Sequence, residues 1–498
     1  MFKRVLIANR GEIAVRVAAT LQQMGITAVA VYSQPDRHAL HVESADEAYP
    51  LEGSASRDTY LRGELIIDIA KRAGCQAIHP GYGFLSENDD FAQACADAGL
   101  VFIGPTPQVI LGMGDKITAK KAFTDAGVPT VPGWSGDAGA SHDTIAREAL
   151  RIGYPVLIKA AAGGGGKGMR VVESEKDLRA AVEAAQREAQ SAFGDSRIFL
   201  EKYIRHGRHV EIQIFGDTHG QVVHLFEREC SIQRRHQKIV EESPSPALTP
   251  ELRRRMGEAA VRAAKAIGYT NAGTVEFLVD DSGHFYFLEV NTRLQVEHPV
   301  TEWVVGHDLV RAQVLVAAGE PLPFSQEDLV QTGHALECRI YAEDAARGFL
   351  PSTGVIERYR QPVGPNIRVD AGVRAGSEVS VHYDPQLAKL IVWGRSREES
   401  IARMRWALDR YVIMGVTTNI AFLRTLLDHE EFVAGRIHTQ FLSTHTIEVP
   451  SSDASDEALL LAALAARGGS DPGTAQVNGG ATARRISPWQ DAHAWRTT

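Results

Sequence analysis

Residues 274–291, Thr-Val-Glu-Phe-Leu-Val-Asp-Asp-Ser-Gly-His-Phe-Tyr-Phe-Leu-Glu-Val-Asn, set two glutamates, Glu276 and Glu289, in apolar runs on either side of a turn-forming Asp-Asp-Ser-Gly. The pattern is that of a β-hairpin. With a loop of two residues, Ser282 and Gly283, or of four, the register places Glu276 opposite Glu289, whereas a three-residue bulged loop breaks that register. Like charges so placed destabilise a sheet unless a cation lies between them. Asn291 points the same way as Glu289 and adds a neutral oxygen. Together they form a hard oxygen set suited to Mg²⁺ or Mn²⁺ shared with phosphates. The alternative, two solvated glutamates on an outer face, fits the apolar flanks less well. Immediately beyond, Arg293, Gln295 and Glu297 stand at alternate positions, so a bidentate anion binder and a carboxylate base can reach one small substrate.

A second stretch speaks to phosphate. Residues 156–172, Val-Leu-Ile-Lys-Ala-Ala-Ala-Gly-Gly-Gly-Gly-Lys-Gly-Met-Arg-Val-Val, run from an apolar strand through glycines into another strand. Backbone without Cβ atoms can wrap closely around an anion. Gly163, Gly165 and Gly168 satisfy Gly-x-Gly-x-x-Gly, but that dinucleotide fingerprint opens a helix, and Met-Arg-Val-Val is strand-like. A P-loop fails because Lys167 is followed by Gly168 rather than Ser or Thr. What remains is a glycine hairpin with Lys159 at its root, either a cover for phosphates or a surface hairpin. Lys116 lies near the start of a helical run at 115–123, where the helix dipole is positive; a bound phosphate and plain solvent exposure both account for it. A strand ending Glu-Lys-Tyr-Ile at 201–204 suits an adenine or ribose. His209, Glu211 and Gln213 alternate with Val210, Ile212 and Ile214 and so share one face. Arg234, Arg235 and Lys238 make a local basic cluster, a solvated run or the seat of an anionic substrate.

These residues need a scaffold, and 498 residues exceed one core, suggesting about three domains. A strand at 4–8, a helical run with Ile13, Ala14, Val17, Ala18, Leu21 and Met24, and a strand at 27–32 open a βαβ series. It repeats through 66–73, 77–79, 91–98 and 101–103, which predicts a parallel sheet with helices on both faces. The first turn carries a single glycine, so the domain is nucleotide-binding in form without the phosphate signature. The loop at 79–88, His-Pro-Gly-Tyr-Gly-Phe-Leu-Ser-Glu-Asn, follows a strand at the edge where α/β ligands bind. Tyr82 there lines a pocket or belongs to a tight loop. Gly104-Pro-Thr-Pro107 is a natural boundary.

The net charge of −9 argues against a general nucleic-acid binder. Cys75, Cys95, Cys230 and Cys338 are widely separated, which excludes metal-like spacing and reads as buried thiols in a reducing compartment. The N-terminal apolar run is too short for a signal peptide and nothing approaches a membrane span, so the cytoplasm is the default location.

From residue 1 to about 447 the chain resembles the biotin carboxylases, the ATP-grasp subunits or domains of biotin-dependent carboxylases. The resemblance rests on Ile-Ala-Asn-Arg-Gly-Glu-Ile13, the 79–88 loop, Lys-Ala-Ala-Ala-Gly-Gly-Gly-Gly-Lys-Gly-Met169, Glu-Lys-Tyr203, Arg-His-Gln-Lys238 and Glu-Val-Asn-Thr-Arg-Leu-Gln-Val-Glu-His298. Further on, Leu-Glu-Cys-Arg-Ile-Tyr-Ala-Glu-Asp344, Pro-Ser-Thr-Gly354 and Tyr-Asp-Pro-Gln-Leu-Ala-Lys-Leu-Ile391 carry it into a C-terminal domain.

The resemblance implies an α/β and α+β multidomain fold. It comprises a Rossmann-like N-terminal domain (1–113), an ATP-grasp domain (114–332) with a glycine-rich lid at about 131–203, and a mixed α/β C-terminal domain (333–447). A tail (448–498) follows. It implies that Lys116, Lys159, Gly164, Gly165, Gly166, His209, Gln233 and His236 contact ATP, with Glu201 and Lys202 at the adenine. Glu276, Glu289 and Asn291 would hold two Mg²⁺ or Mn²⁺ ions. Lys238, Arg293, Gln295 and the Val296 backbone would bind bicarbonate, Glu297 would be its base, and Arg293 and Arg339 would stabilise the biotin enolate beside Tyr82. The expected partners are a biotin carboxyl carrier protein, a carboxyltransferase subunit and a second copy of the chain in a homodimer, with no nucleic acid and no membrane. No Ala-Met-Lys-Met biotinylation sequence occurs, so biotin is expected on another chain. The tail, with an apolar run at 457–467 and two tryptophans in its last ten residues, either docks a partner or packs on its own domain. Two other readings stand beside this one. Another ATP-grasp ligase, joining a carboxylate to an amine, shares the lid, lysines and metal carboxylates but does not predict Arg293, Gln295 and Glu297 or Arg339; a nucleotide-binding regulatory subunit without turnover is separated by ATP hydrolysis.

Overall fold

The computed structural model describes residues 1–135, 140–160, 169–235 and 237–449. Gly164, Gly165, Gly166, His236, the Lys116 side chain and the tail from residue 450 therefore lie outside the described residues.

The N-terminal strands β1 (Arg4–Ile7), β2 (Thr27–Tyr32), β3 (Glu47–Pro50), β4 (Ala77–His79) and β5 (Val101–Phe102) form one parallel sheet in the order β3-β2-β1-β4-β5. Alternation along β1 sends Val5 and Ile7 toward Ile13, Val17 and Leu21 of the helix Gly11–Gln23. Leu6 turns the other way, toward Ile66 and Ile69 of the helix Gly63–Arg72 and Phe91 of the helix Asp89–Asp97. Helices thus cover both faces, as the βαβ pattern requires. The edge strand β3 was not anticipated, because Glu-Ala-Tyr-Pro has no apolar alternation; its Glu47 accepts from Arg4 at 2.6 Å.

The glycine stretch is flanked by paired strands. β6 (Gly133–Ser135), β7 (Val156–Ala160), β8 (Arg170–Val172) and β9 (Ile198–Lys202) form an antiparallel sheet in the order β6-β9-β7-β8, with Val156 opposite Val172 and Ile158 opposite Arg170. Two amphipathic helices, His142–Ile152 and Glu175–Phe193, close its core through Ile145, Leu178 and Val182. That strand β8 follows the glycines bears out the rejection of a dinucleotide fingerprint.

The site stands on a second, antiparallel sheet: β14 (Phe285–Asn291), β13 (Asn271–Val279), β10 (Arg208–Gly216), β11 (Val222–Arg234), β12 (Gln237–Ser243), β15 (His334–Tyr341), then Gln386–Gly394 and Ile367–Ala371. Pairing of β12 with β15 carries this sheet across the limit between 332 and 333 drawn from sequence. Val210, Ile212 and Ile214 of β10 and Val275 and Phe277 of β13 pack against Met256, Ala260 and Ala263 of the helix Pro250–Ala266. Their opposite faces are left for polar residues.

One expectation is corrected. The β13–β14 loop has three residues, not two or four: Asp280 N donates to His284 O at 2.9 Å, and the Asp280 carboxylate accepts from Ser282 N and His284 N, both at 2.9 Å. An Asx turn finished by Gly283 at φ +77° favours this loop. It shifts the register by one, so Phe277 faces Phe287. A bulge at Leu288 then absorbs the shift, and Glu276 does face Glu289.

Candidate active site

Register alone builds the first row of the site. Glu289 of β14 faces Glu276 of β13, Glu276 faces Glu211 of β10, and Glu211 faces Arg228 of β11. Arg228 is fully buried and donates to Glu211 Oε1 (2.6 Å), Gln213 Oε1 (2.7 Å), Thr301 Oγ1 (2.9 Å) and Thr274 Oγ1 (3.1 Å), so its guanidinium is well satisfied.

Lys238 enters from β12 and donates to Glu211 Oε2 (2.5 Å), Glu276 Oε1 (2.8 Å) and Glu297 Oε1 (2.7 Å). Burial opposes its charge, but these three carboxylates hold its pKa well above the ordinary lysine value. Burial likewise opposes charge on Glu297, yet Lys238, Arg339 and Arg228 hold its pKa well below the usual carboxylate range. Arg339 donates to Glu297 Oε2 at 3.0 Å and to Glu241 Oε1 at 2.5 Å. Glu241, despite that arginine, is raised by burial to about 7.

Glu276 also collects Asn291 Nδ2 (2.7 Å) and Gln295 Nε2 (3.2 Å) on Oε1, while His209 Nε2 lies 2.8 Å from Oε2. Burial disfavours the Glu276 charge, but Lys238 and His209 outweigh it and hold its pKa well down. Arg293 donates to Glu87 Oε2 (2.9 Å), Gln295 Oε1 (3.1 Å) and Asn291 Oδ1 (3.1 Å). Glu87 comes from the 79–88 loop, which Asn9 at the end of β1 fixes by donating to Pro80 O and Tyr82 O, both at 2.8 Å. Gly81, at φ +63°, is needed there: a Cβ would stand 2.8 Å from Asn9 Nδ2. Tyr82 sits beside the site, its ring 5.9 Å from Lys389 Nζ.

The donors near Glu276 suit a hard divalent cation. Glu276 and Glu289 face one another, Asn291 shares their side, and His209, Glu211 and Glu276 offer ligand atoms within 4.8 Å of one another. Glu211, Cys230 and Glu297 converge as well; burial and the nearby Glu211 push the Cys230 thiol up, and its soft sulfur suits a hard cation less well than the oxygens around Glu276.

Lys238, His209, Glu276, Asn291, Arg293, Gln295, Glu297 and Arg339 are thus brought into one connected cluster, with Val296 on its loop. Lys159 and Glu201 lie together on the sheet of β6 to β9: Lys159 Nζ is 2.6 Å and Lys120 Nζ 2.9 Å from the Glu201 carboxylate. Lys202 instead donates to Gly153 O and Tyr154 O, and Gln233 pairs with Lys238 across β11 and β12. The basic cluster is split. Arg234 pairs with Glu343 at 3.1 Å, Arg235 is exposed, and only Lys238 enters the cluster. The sequence reading missed Glu87, Glu211, Arg228 and Glu241. Glu211 alternated onto the right face, and Glu87 stood inside a quoted motif; nothing local marked Arg228 or Glu241.

An acid row with a buried lysine, an arginine-held carboxylate and a glycine-rich segment between the paired strands β7 and β8 define an ATP-grasp ligase. Residues 1–110 match the biotin carboxylase N-terminal domain, 115–325 the carbamoyl-phosphate synthase L chain ATP-binding domain, and 337–444 the biotin carboxylase C-terminal domain. Biotin carboxylase 1 of Bacillus subtilis is 50% identical over 448 residues, 90% of this chain and 99% of that protein. The mitochondrial methylcrotonoyl-CoA carboxylase subunit alpha of Dictyostelium discoideum is 53% identical over 92% of this chain, which spans 66% of that subunit's length. Among solved structures, the biotin carboxylase–β,γ-ATP complex from Campylobacter jejuni superposes with a TM-score of 0.86 at 47% identity, over 89% of this chain and 99% of that one. The biotin carboxylase domain dimer of Hydrogenobacter thermophilus 2-oxoglutarate carboxylase, solved with MgADP, ADP and bicarbonate, gives 0.86 at 50% identity, over 89% and 98%. The chain belongs to the biotin carboxylase family.

Proposed function

We propose that this chain uses ATP and bicarbonate to carboxylate the biotin of a separate carrier protein, the first half-reaction of an acyl-CoA carboxylase. The observation that carries this reading is Lys238 held among Glu211, Glu276 and Glu297, with Arg339 on the second oxygen of Glu297. A small anion that accepts from Lys238, Arg293, Gln295 and the Val296 amide would lie against an ionised carboxylate. Glu297 is charged at neutral pH and takes the bicarbonate proton while the bicarbonate oxygen attacks the γ-phosphorus of ATP and ADP leaves with the β,γ-bridging oxygen. The carboxyphosphate formed splits to CO₂ and phosphate. Phosphate takes the ureido proton of biotin, and N1′ attacks CO₂ with the enolate oxygen facing Arg339, a charge that does not readily surrender its proton.

Glu276, Glu289 and Asn291 would hold Mg²⁺ or Mn²⁺, which neutralises charge on the β and γ phosphates. Lys116, Lys159, Gly164, Gly165, Gly166, His209, Gln233 and His236 would bind ATP, with Glu201 and Lys202 at the adenine and Tyr82 at the biotin. The MgADP and bicarbonate bound by the Hydrogenobacter domain support these assignments. The domain limits drawn from sequence, a homodimer, a cytoplasmic location, and carrier and carboxyltransferase partners belong to the same proposal. An acyl-CoA acceptor is favoured by the methylcrotonoyl-CoA carboxylase relatives.

Phosphate release by the purified chain tests the reading. Hydrolysis that requires bicarbonate and rises with free biotin is expected. Hydrolysis driven by an amine and a carboxylate without bicarbonate would indicate the other ligase class, and ATP binding without hydrolysis a regulatory subunit.

A further inference from the structure

Four consecutive carbonyls in the proposed anion-binding loop are each engaged. Leu294 O accepts from Arg293 Nη1 (3.3 Å), Gln295 O from His298 Nδ1 (2.8 Å) and Glu297 O from Val300 N (3.3 Å). These partners lie within three residues of the carbonyl they meet. Val296 O differs: it accepts at 2.9 Å from Nζ of Lys389, 93 residues further on. Lys389 is fully buried on the strand Gln386–Gly394 and faces Glu12 Oε2 at 3.4 Å and Asp370 Oδ2 at 3.6 Å.

Its place in the register gives this bond meaning. Lys389 stands directly opposite Arg339 across β15, and Asp370 directly opposite Lys389 on the other side. Neighbouring positions of one sheet therefore grip one dipeptide twice: Arg339 holds the Glu297 side chain, and Lys389 holds the carbonyl just before it. Fixing that carbonyl fixes the plane of the Val296–Glu297 peptide, hence the direction in which Glu297 leaves the backbone. Catalytic geometry is sensitive to displacements of about 1 Å.

We infer that Lys389 is a positioning residue for bicarbonate, acting through the Val296–Glu297 backbone without touching substrate. The inference rests on the functional reading above. Asp370 as well as Glu12 lies beside the ammonium, so Asp370 keeps it anchored when Glu12 is neutralised, and its third contact points it at the loop.

Bicarbonate-dependent phosphate release by the full chain tests it, with KM measured separately for bicarbonate and for ATP. In Lys389→Met the bicarbonate KM is expected to rise about tenfold or more while the ATP KM stays within about twofold. Glu12→Gln, which keeps the bond to Val296, leaves both constants within about twofold. Should Lys389→Met fold poorly because Glu12 is stranded, the double variant Lys389→Met/Glu12→Gln removes that charge and must show the same split. An unchanged bicarbonate KM in the lysine variants overturns the inference. So does a parallel rise in both constants, or an equal effect of Glu12→Gln. A wild-type chain without bicarbonate-dependent turnover overturns the functional reading, and this inference with it.

Discussion

Glu297 shows how charge and position separate at a single residue. Its carboxylate lies between Lys238 and Arg339, so it is ionised at neutral pH and held still. Each cation keeps another acid if that charge is removed: Lys238 retains Glu211 and Glu276, and Arg339 retains Glu241. Glu297→Gln is therefore expected to fold and to bind ATP with unchanged affinity. Its bicarbonate-dependent turnover should fall by about 10²- to 10⁴-fold, the range for loss of a general base. Steady-state phosphate release beside nucleotide titration checks this, and near-normal turnover would refute the base role. Arg293, Gln295 and Glu297 were legible together because their spacing within one segment is chemistry written locally. Glu211 and Arg228 were not, because their importance comes from which strand lies beside which. Arg228 reaches Thr274 and Thr301, 46 and 73 residues away, and no local pattern records such a meeting.

At the scale of elements, alternation was enough to assign β10, β13 and β14 and the face each turns to the site, but the turn between β13 and β14 was misjudged. The Asp280 side chain chose a three-residue loop, and the Leu288 bulge restored the facing glutamates. Two local deviations compensated: Asp280 and Gly283 were a local signal for the first, and nothing marked the bulge at Leu288. Glycines test how tightly these strands are fixed. A Cβ at Gly216, which ends β10, would stand 2.2 Å from the backbone oxygen of Tyr269, an atom that cannot swing aside. Gly112, inside the helix Pro107–Gly114, has open space where its Cβ would go. Gly216→Ala is expected to destabilise by about 1–3 kcal/mol, the usual range for overpacking. Gly112→Ala should be neutral or stabilising by up to about 1 kcal/mol, since alanine favours a helix. Urea midpoints of the two variants decide the matter; equal midpoints would show that β10 has room to move.

Over the whole molecule, buried charges join parts of the chain that the sequence suggested were separate domains. Arg16 of the first helix meets Glu302 (2.8 Å) and Asp308 (2.9 Å), Arg368 meets Glu302 and Asp370 (both 2.7 Å), and Lys389 meets Glu12. Groups so buried make stability depend on pH in opposing directions. Burial raises the Glu12 carboxyl to about 7 despite Lys389, so the native state holds a proton there that the unfolded chain has lost above about 4.5. That group favours folding at acid pH, and its contribution disappears as pH rises through 7. Burial lowers His41 to about 4, although Asp36 pulls it upward, so its contribution is present above 6.5 and is lost as pH falls toward 4. Between pH 7.5 and 5.5 the two work against each other, Glu12 adding about 2 kcal/mol and His41 removing about 1 kcal/mol. Glu12→Gln should therefore lose stability relative to the wild type on acidification over that range, and His41→Gln should gain it. Urea unfolding of the three proteins at pH 7.5 and 5.5 tests the signs. Parallel pH dependence in all three would mean that neither group changes its protonation on unfolding, and that the buried network does not set the chain's response to acid.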